Sequence, residues 1–394
     1  MQNETASDLL ARHGVDTERG FLPTEDPVRR LPEAYQAWED MAVEIPKLLS
    51  AGRVHEWIER LPELDIADLD RNELNRAMLL LSYLGHAYVF GGEEPRHRLP
   101  ACVAKPWYET ATKLGRPPVL SYASHALYNW RRLDPDGPIA LGNIVRLENF
   151  RGGLDEDWFV LVHVAIEASA GPGICAAALA QDAAAAGDVA AVATHLDTVG
   201  QTLENMIAIL RRMPEKCDPY VYYHRVRQFI FGWMDNPALP DGVVYEGVTA
   251  YGDQGQKFRG ETGAQSSIIP ALDAVLGMDY SQDTLGAHLI QLRDYMPPSH
   301  RALIEEFGKR TSVRTFVLEH ADDAALVAAY DRCIEGATEF RRQHMEYAGT
   351  YIRGQQQNSS ANPVETGTGG TPFMRYLAQH VTDAHQYLVG TPAN

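Results

Sequence analysis

Cysteine is scarce in this chain, and the four present (Cys102, Cys175, Cys217 and Cys333) are scattered with no CxxC spacing. Such spacing offers neither a disulfide framework nor a thiolate zinc site, and a reduced, cytoplasmic setting is expected. Positive charge is in deficit too. Against 53 Asp and Glu stand 35 Lys and Arg, a net charge of -18 at pH 7. Affinity for a phosphate backbone rests on clustered cations, so no nucleic-acid partner is expected. Nucleotide-binding glycine patterns are missing: there is no Walker sequence and no GxGxxG after a strand. The N-terminus, MQNETASDLLARHG, has early acidic residues and no apolar core of signal-peptide length. The most membrane-like run, Trp158 to Ala180, contains His163 and Glu167. An unpaired carboxylate is costly in lipid, so the run reads as a buried helix and no membrane partner is expected.

What is present is helical periodicity. Tyr35, Trp38, Met41, Ala42 and Ile45 recur at three- and four-residue spacings within Leu31 to Ser50. Val54 to Leu61 and Asn72 to Tyr88 continue the pattern, and Leu79, Leu80, Leu81, Tyr83 and Leu84 are too apolar to face water. A helix pair is predicted over Asp182 to Arg212 and a long helix over Asp322 to Arg353. Strand is conceivable only around Ile144 to Leu147. The fold class is therefore all-α. A length of 394 residues accommodates two domains. The Gly/Pro-punctuated stretch Arg131 to Gly153 marks a seam between a smaller helical unit, 1–140, and a larger one, 141–394. Gly354 to Thr371, GQQQNSSANPVETGTGGT, has the composition of a mobile lid.

Packing explains Val244 to Arg301 poorly. Its first half is rich in Gly, Thr, Ser and Gln, a composition for turns and close backbone approach. Ser267 is then expected to cap a helix with Ile268, Ile269, Leu272, Val275 and Leu276 on its apolar face, stopped by Gly277. A second helix, Thr284 to Tyr295, must end at Pro297-Pro298. A small-residue loop feeding a buried helix lets a flat ligand or a phosphate lie against backbone.

Several ordered motifs in and around this stretch resemble the indoleamine 2,3-dioxygenase family. They are VYEG, FRGETGAQSS, the Asp273-to-Gly277 turn, His288 and YMPPSHR, with GTGGTPFM at Gly367 and the helix holding His344 downstream. Upstream, FLP at Phe21, LPEAYQAWE at Leu31 and PPVLSYASHALYNW at Pro117 match in order, so the resemblance covers nearly the whole chain. It implies haem b, ferrous in the active form, with dioxygen as co-substrate. The implied reaction cleaves the indole C2–C3 bond of L-tryptophan or a related indoleamine to give N-formylkynurenine. It also implies a monomer served by an external reductant.

Read alone, His344 is an ordinary helix histidine; the resemblance makes it the iron ligand. Arg341 then matches the arginine that meets a haem propionate, and Asp273 a partner orienting that proximal cluster. His163, by itself a satisfied core histidine, falls with Phe159 on the distal face. Where vertebrate-type members carry a small hydroxyl residue, a neutral His163 can accept the indole N–H. Arg227 matches the carboxylate-binding position. Tyr122, Tyr222 and Tyr223 match aromatic pocket walls, and His125 makes the floor under the benzo ring more polar. Thr262 and Gly263 are expected close to haem and the substrate ammonium, and Thr368 is expected to be the lid residue that meets the substrate carboxylate. The extra polar groups keep a second reading open, a superfamily haem enzyme that rearranges or mono-oxygenates a tryptophan analogue. A haem carrier without turnover would need neither Arg227 nor Thr368.

Overall fold

The computed structural model describes residues 5–279, 284–355, 367–368 and 383–390. Most of the expected lid, and the GTGGTPFM block beyond Thr368, lie outside the described residues.

The described chain is all-α, as its periodicity predicts. The short α1 (Ala6–Arg12) begins at Thr5, whose hydroxyl accepts the Asp8 N–H. The predicted first stripe forms α2 (Gln36–Ser50) with Trp38, Met41, Ala42 and Ile45 buried, followed by α3 (Val54–Ile58). Helix α4 (Arg71–Phe90) opens with an Asp70–Glu73 capping box and is buried from Leu74 to its end, so it is the axis of the N-terminal half. Helix α5 (Ala101–Leu114) packs along it and stops at Gly115, which takes a left-handed φ of 69°.

Strand is confined to two two-stranded ladders among the described residues. The predicted one, β3 (Ile144–Val145), pairs antiparallel with β2 (Arg131–Arg132). The other was not legible in the sequence: β1 (Arg98–Leu99) pairs parallel with β4 (Val244–Tyr245), which ties the VYEG motif to the N-terminal half.

Helix α7 (Val189–Leu210) packs against both α6 (Leu154–Ala186) and α14 (Ala324–Tyr351), and the three make the C-terminal scaffold. The membrane-like run is inside α6. That helix is long and apolar enough to cross a membrane, but 67% of its apolar window is buried within the protein. The helix break comes later than expected. Gly187, at φ 75°, ends α6, and Asp188 caps α7 through the Ala191 N–H, so Asp182 to Ala186 belong to the preceding helix.

The chain then runs through α8 (Pro219–Val221), a π-helical turn (Tyr222–Val226) and α9 (Arg227–Ile230). Helix α10 (Ile268–Leu276) buries the predicted face and ends at Gly277 with φ 71°. The expected cap does not form. Ser267 has helical backbone angles (φ -86°, ψ -13°) that turn its hydroxyl away from the first-turn amides, and it faces His300 Nδ1 at 3.4 Å. Helix α11 (Thr284–Leu292) ends through a 3-10 turn at Tyr295, and Pro298 opens α12 (Pro298–Phe307) in the position where its missing N–H costs nothing. Helix α13 (Val313–Glu319) leads into α14, whose first amides are capped by Asp323.

Candidate active site

The site is assembled where α6, α14, the two π-helical segments and the loop before α10 converge. His344 lies on α14 and keeps accessible surface while protein surrounds it closely enough for burial to act on its charge, the situation of a side chain that borders an internal space. Burial lowers its pKa to about 4, with His163 adding to the effect. It is a neutral imidazole at physiological pH, and His163 is close enough to act on its charge. A side chain at Gly263 would point at His344 Nε2 from 4.0 Å, with no other heavy atom so near. The glycine thus keeps open the approach to that nitrogen.

On α6, His163 Nδ1 lies 2.7 Å from the Phe159 carbonyl oxygen one turn earlier. The proton belongs on Nδ1, which donates to that oxygen and leaves Nε2 as a bare acceptor. Burial lowers this histidine's pKa as well. Phe159 packs against it at 4.7 Å and against Tyr222 at the same distance. Tyr122 meets the His163 ring edge-on at 5.9 Å.

The pocket walls owe their placement to a feature the sequence does not advertise. Ala123–Leu127 and Tyr222–Val226 both wind as π-helix, a form with one extra residue per turn that is frequent at functional sites. In the second, the adjacent Tyr222 and Tyr223 are both buried, and Arg227 follows at once. Arg227 is fully buried, with its guanidinium 5.5 Å from the Tyr223 ring and 5.2 Å from Phe231. Burial lowers its pKa to about 10, so it stays cationic at neutral pH. Arg225, two residues earlier, is exposed.

His86, which sequence reasoning passed over, joins these segments. Its Nε2 accepts the Leu120 N–H (2.9 Å) and its Nδ1 donates to the Phe229 carbonyl (2.7 Å). Each half of the pocket is thereby anchored to α4.

The small-residue loop crosses the end of α9 where Gly232 and Gly260 touch; a Cβ on Gly232 would lie 2.1 Å from Gly260 N. The Glu261 N–H donates to the Ile230 carbonyl at 3.0 Å. Thr368 docks on the same loop. Its hydroxyl donates to the Glu261 carbonyl, and its own carbonyl accepts the Gly232 N–H at 3.3 Å. Thr262, partly buried, accepts the Ala264 N–H. Arg341, one turn before His344, pairs with Asp273 of α10 through Nη2, which donates to both carboxylate oxygens, Oδ1 at 2.6 Å and Oδ2 at 2.5 Å. The sequence-predicted residues are thus brought into one region.

Glu261 was missed. It is 2% exposed and lies beside His125, with Oε2 3.5 Å from Nδ1. A glutamate in a GET loop reads as surface, and only the fold reveals it as an inner wall.

Comparison with known proteins gives this geometry its context. The sequence profile of indoleamine 2,3-dioxygenase matches residues 9–386. The chain belongs to the indoleamine 2,3-dioxygenase family. It is 35% identical to rat indoleamine 2,3-dioxygenase 1 over 98% of its own length and 97% of the relative's. It is 33% identical to human indoleamine 2,3-dioxygenase 2, covering 93% and 92% of the two chains. A 6-hydroxytryptophan 2,3-dioxygenase of Fusarium equiseti is 29% identical, covering 93% and 95%. The chain is therefore an oxidoreductase of a haem-dependent, dioxygen-using family.

The residues present suit that cofactor. A haem iron that is to bind dioxygen needs a protein ligand on one face and room on the other. One neutral imidazole, a glycine facing its Nε2 and an arginine–aspartate pair a turn away supply a proximal face of that kind.

Proposed function

We propose that this enzyme cleaves the C2–C3 bond of L-tryptophan, or of a related indole amino acid, with dioxygen, giving N-formylkynurenine or its ring-substituted counterpart. The observation that carries the reading is the juxtaposition of two neutral imidazoles, His344 on α14 and His163 on α6, at one internal space. Haem iron, when bound to His344, supplies the activation of dioxygen. Arg341, with Asp273 behind it, would hold a haem propionate.

The other residues position the substrate. Arg227, cationic and walled by aromatic rings, binds the amino-acid carboxylate. His163 Nε2 accepts the indole N–H and turns C2 and C3 toward the oxygen site. Tyr122, Phe159, Tyr222 and Tyr223 exclude water around the ring. Thr262 and Gly263 let the backbone approach, and Thr368, docked on the Glu261 carbonyl, closes the carboxylate end as part of the lid. No strong general base is required while the indole proton stays on nitrogen until the ring opens. The small molecule is the partner, and an external reductant keeps the iron ferrous. Substrate rings differ among the relatives, one being named for 6-hydroxytryptophan.

The test is a single turnover of the reduced, haem-loaded protein with L-tryptophan under labelled dioxygen, with the product weighed by mass spectrometry. Gain of two labelled atoms is expected. Gain of one or none, with an intact ferrous–CO spectrum, would overturn the dioxygenase reading in favour of mono-oxygenation or rearrangement.

A further inference from the structure

A buried cation without an anion lies outside the residues assigned to the reaction. Arg116 follows the left-handed Gly115 that ends α5 and is 5% exposed. Its Nη2 donates to Asn75 Oδ1 at 3.0 Å, and its guanidinium stands 5.9 Å from the Tyr128 ring. Nη1 is buried with no hydrogen-bond partner. Among the described residues no Asp or Glu pairs with Arg116; the groups that act on its charge are Tyr128 and Arg71. The comparably buried Arg76 and Arg146 are both paired with glutamates. A buried charge left without such a partner is costly.

Further donors gather at the same place. Asn75, which holds Arg116, also donates from Nδ2 to the Arg71 carbonyl at 3.0 Å. Arg71 is exposed, has no carboxylate partner among the described residues, and acts on the charges of Arg116, Tyr128 and His300. Helix α12 starts against the end of α5, where a Cβ on Gly115 would lie 2.8 Å from Pro298 Cγ, and it carries His300. This histidine is 5% exposed. Burial, with Arg116, Arg71 and His13 adding to it, lowers its pKa to about 3, so the ring is neutral. Its Nδ1 faces Ser267 Oγ at 3.4 Å, which leaves Nε2 for another partner. His13 is already engaged by Ser299 and Glu306. Tyr128 closes the first π turn, and its hydroxyl makes no hydrogen bond among the described residues. Two guanidiniums, an imidazole and a phenol thus meet with no carboxylate among them, in a chain of net charge -18.

We propose that this cluster binds a small tetrahedral oxyanion such as inorganic phosphate, with Arg116 as its main ligand and Arg71, Tyr128 and His300 around it. A guanidinium edge meets two oxygens of such an anion in parallel. Donors carried by four separate elements suit an anion with acceptor oxygens on every side, whereas a planar carboxylate offers one edge. The burial of Arg116 selects a small anion, and the exposed Arg71 marks the solvent side. Once bound, the anion neutralises the buried charge and ties the first turn of α4 to α5, α12 and the end of the first π turn.

Equilibrium dialysis of the haem-loaded enzyme against radiolabelled phosphate, at fixed ionic strength, is the test. Saturable binding is expected in the wild type. Arg116→Met should weaken it by roughly ten- to a hundredfold, the range for hydrogen bonds to a charged group. Arg71→Ala, at an exposed position where substitution scarcely disturbs folding, should weaken it by about threefold, the scale of a solvent-screened charge. Unlabelled sulfate should displace the label, and acetate at the same concentration should not. Absence of saturable binding by the wild type overturns the proposal. So does an affinity that Arg116→Met leaves unchanged, or that Arg71→Ala leaves unchanged where the first variant does not fold, because the phosphate then sits elsewhere in the molecule. Displacement by acetate as readily as by sulfate overturns the assignment to a tetrahedral anion.

Discussion

Glu167 stands one helical turn beyond His163 on α6 and is fully buried. The Ser266 hydroxyl donates to its Oε1 at 2.7 Å, and the Tyr122 hydroxyl is its other neighbour. These two hydrogen bonds do not offset burial, which pushes the carboxyl up to about 7 from an ordinary 4.5. Between those values the folded protein holds a proton that the unfolded chain has released. Stability must therefore fall as pH rises through that window, since the slope follows protons bound unfolded minus folded. At about 1.4 kcal/mol per pH unit, the full loss above neutrality is about 3 kcal/mol. Glu167→Gln keeps the shape and an acceptor for Ser266, and cannot ionise. We expect wild type and variant to unfold at similar urea concentrations at pH 5. At pH 8.5 the variant should be the more stable by about 3 kcal/mol. Urea titrations of the haem-free protein by far-ultraviolet circular dichroism, taken at half-unit pH steps, measure this directly. A stability difference that is flat across the window, or that grows toward acid, refutes the reasoning.

Arg227→Ala should lower kcat/KM for L-tryptophan by roughly a hundred- to a thousandfold, the cost of leaving one partner of a buried charge pair alone. Tryptamine, which has no carboxylate, should change far less, and parallel losses for both compounds would remove Arg227 from the carboxylate site. His163→Ser should shrink the preference for L-tryptophan over 1-methyltryptophan, a preference expected to be roughly tenfold in the wild type if one hydrogen bond sets it. An unchanged ratio in competition assays would show that His163 does not accept the indole N–H.

The helices were legible where apolar residues recur with helical period, as in α2 and α4, and the proposed iron ligand His344 was singled out only through ordered motifs spread along the chain. Other features depend on distance in space, which periodicity does not record. His86 reads as one more residue of an apolar helix. Its two nitrogens meet Leu120 and Phe229, 34 and 143 residues away. Ser267 has the composition of a cap and the wrong backbone angles for one. Glu261 is polar, sits among small residues and reads as loop surface until the Gly232–Gly260 crossing turns it inward. The π-helical turns have no compositional mark, because the extra residue changes the winding and not the amino-acid preference.

Those turns explain how a helical protein can bring so many large side chains to one internal space. In a regular α-helix, neighbours lie about 100° apart, so two adjacent residues rarely face the same pocket. The π turn at Tyr222–Val226 buries Tyr222 and Tyr223 together and still leaves Arg227 buried one residue after its end. The turn at Ala123–Leu127 buries all five of its residues, His125 among them. Backbone wound this way departs from the favoured helical hydrogen bonding and must be held by tertiary contacts. The His86 imidazole supplies one on each side, binding the chain three residues before the first π turn and three residues after the second. The rigidity of the pocket thus rests on the N-terminal half of the molecule, although His344 and His163 belong to the other.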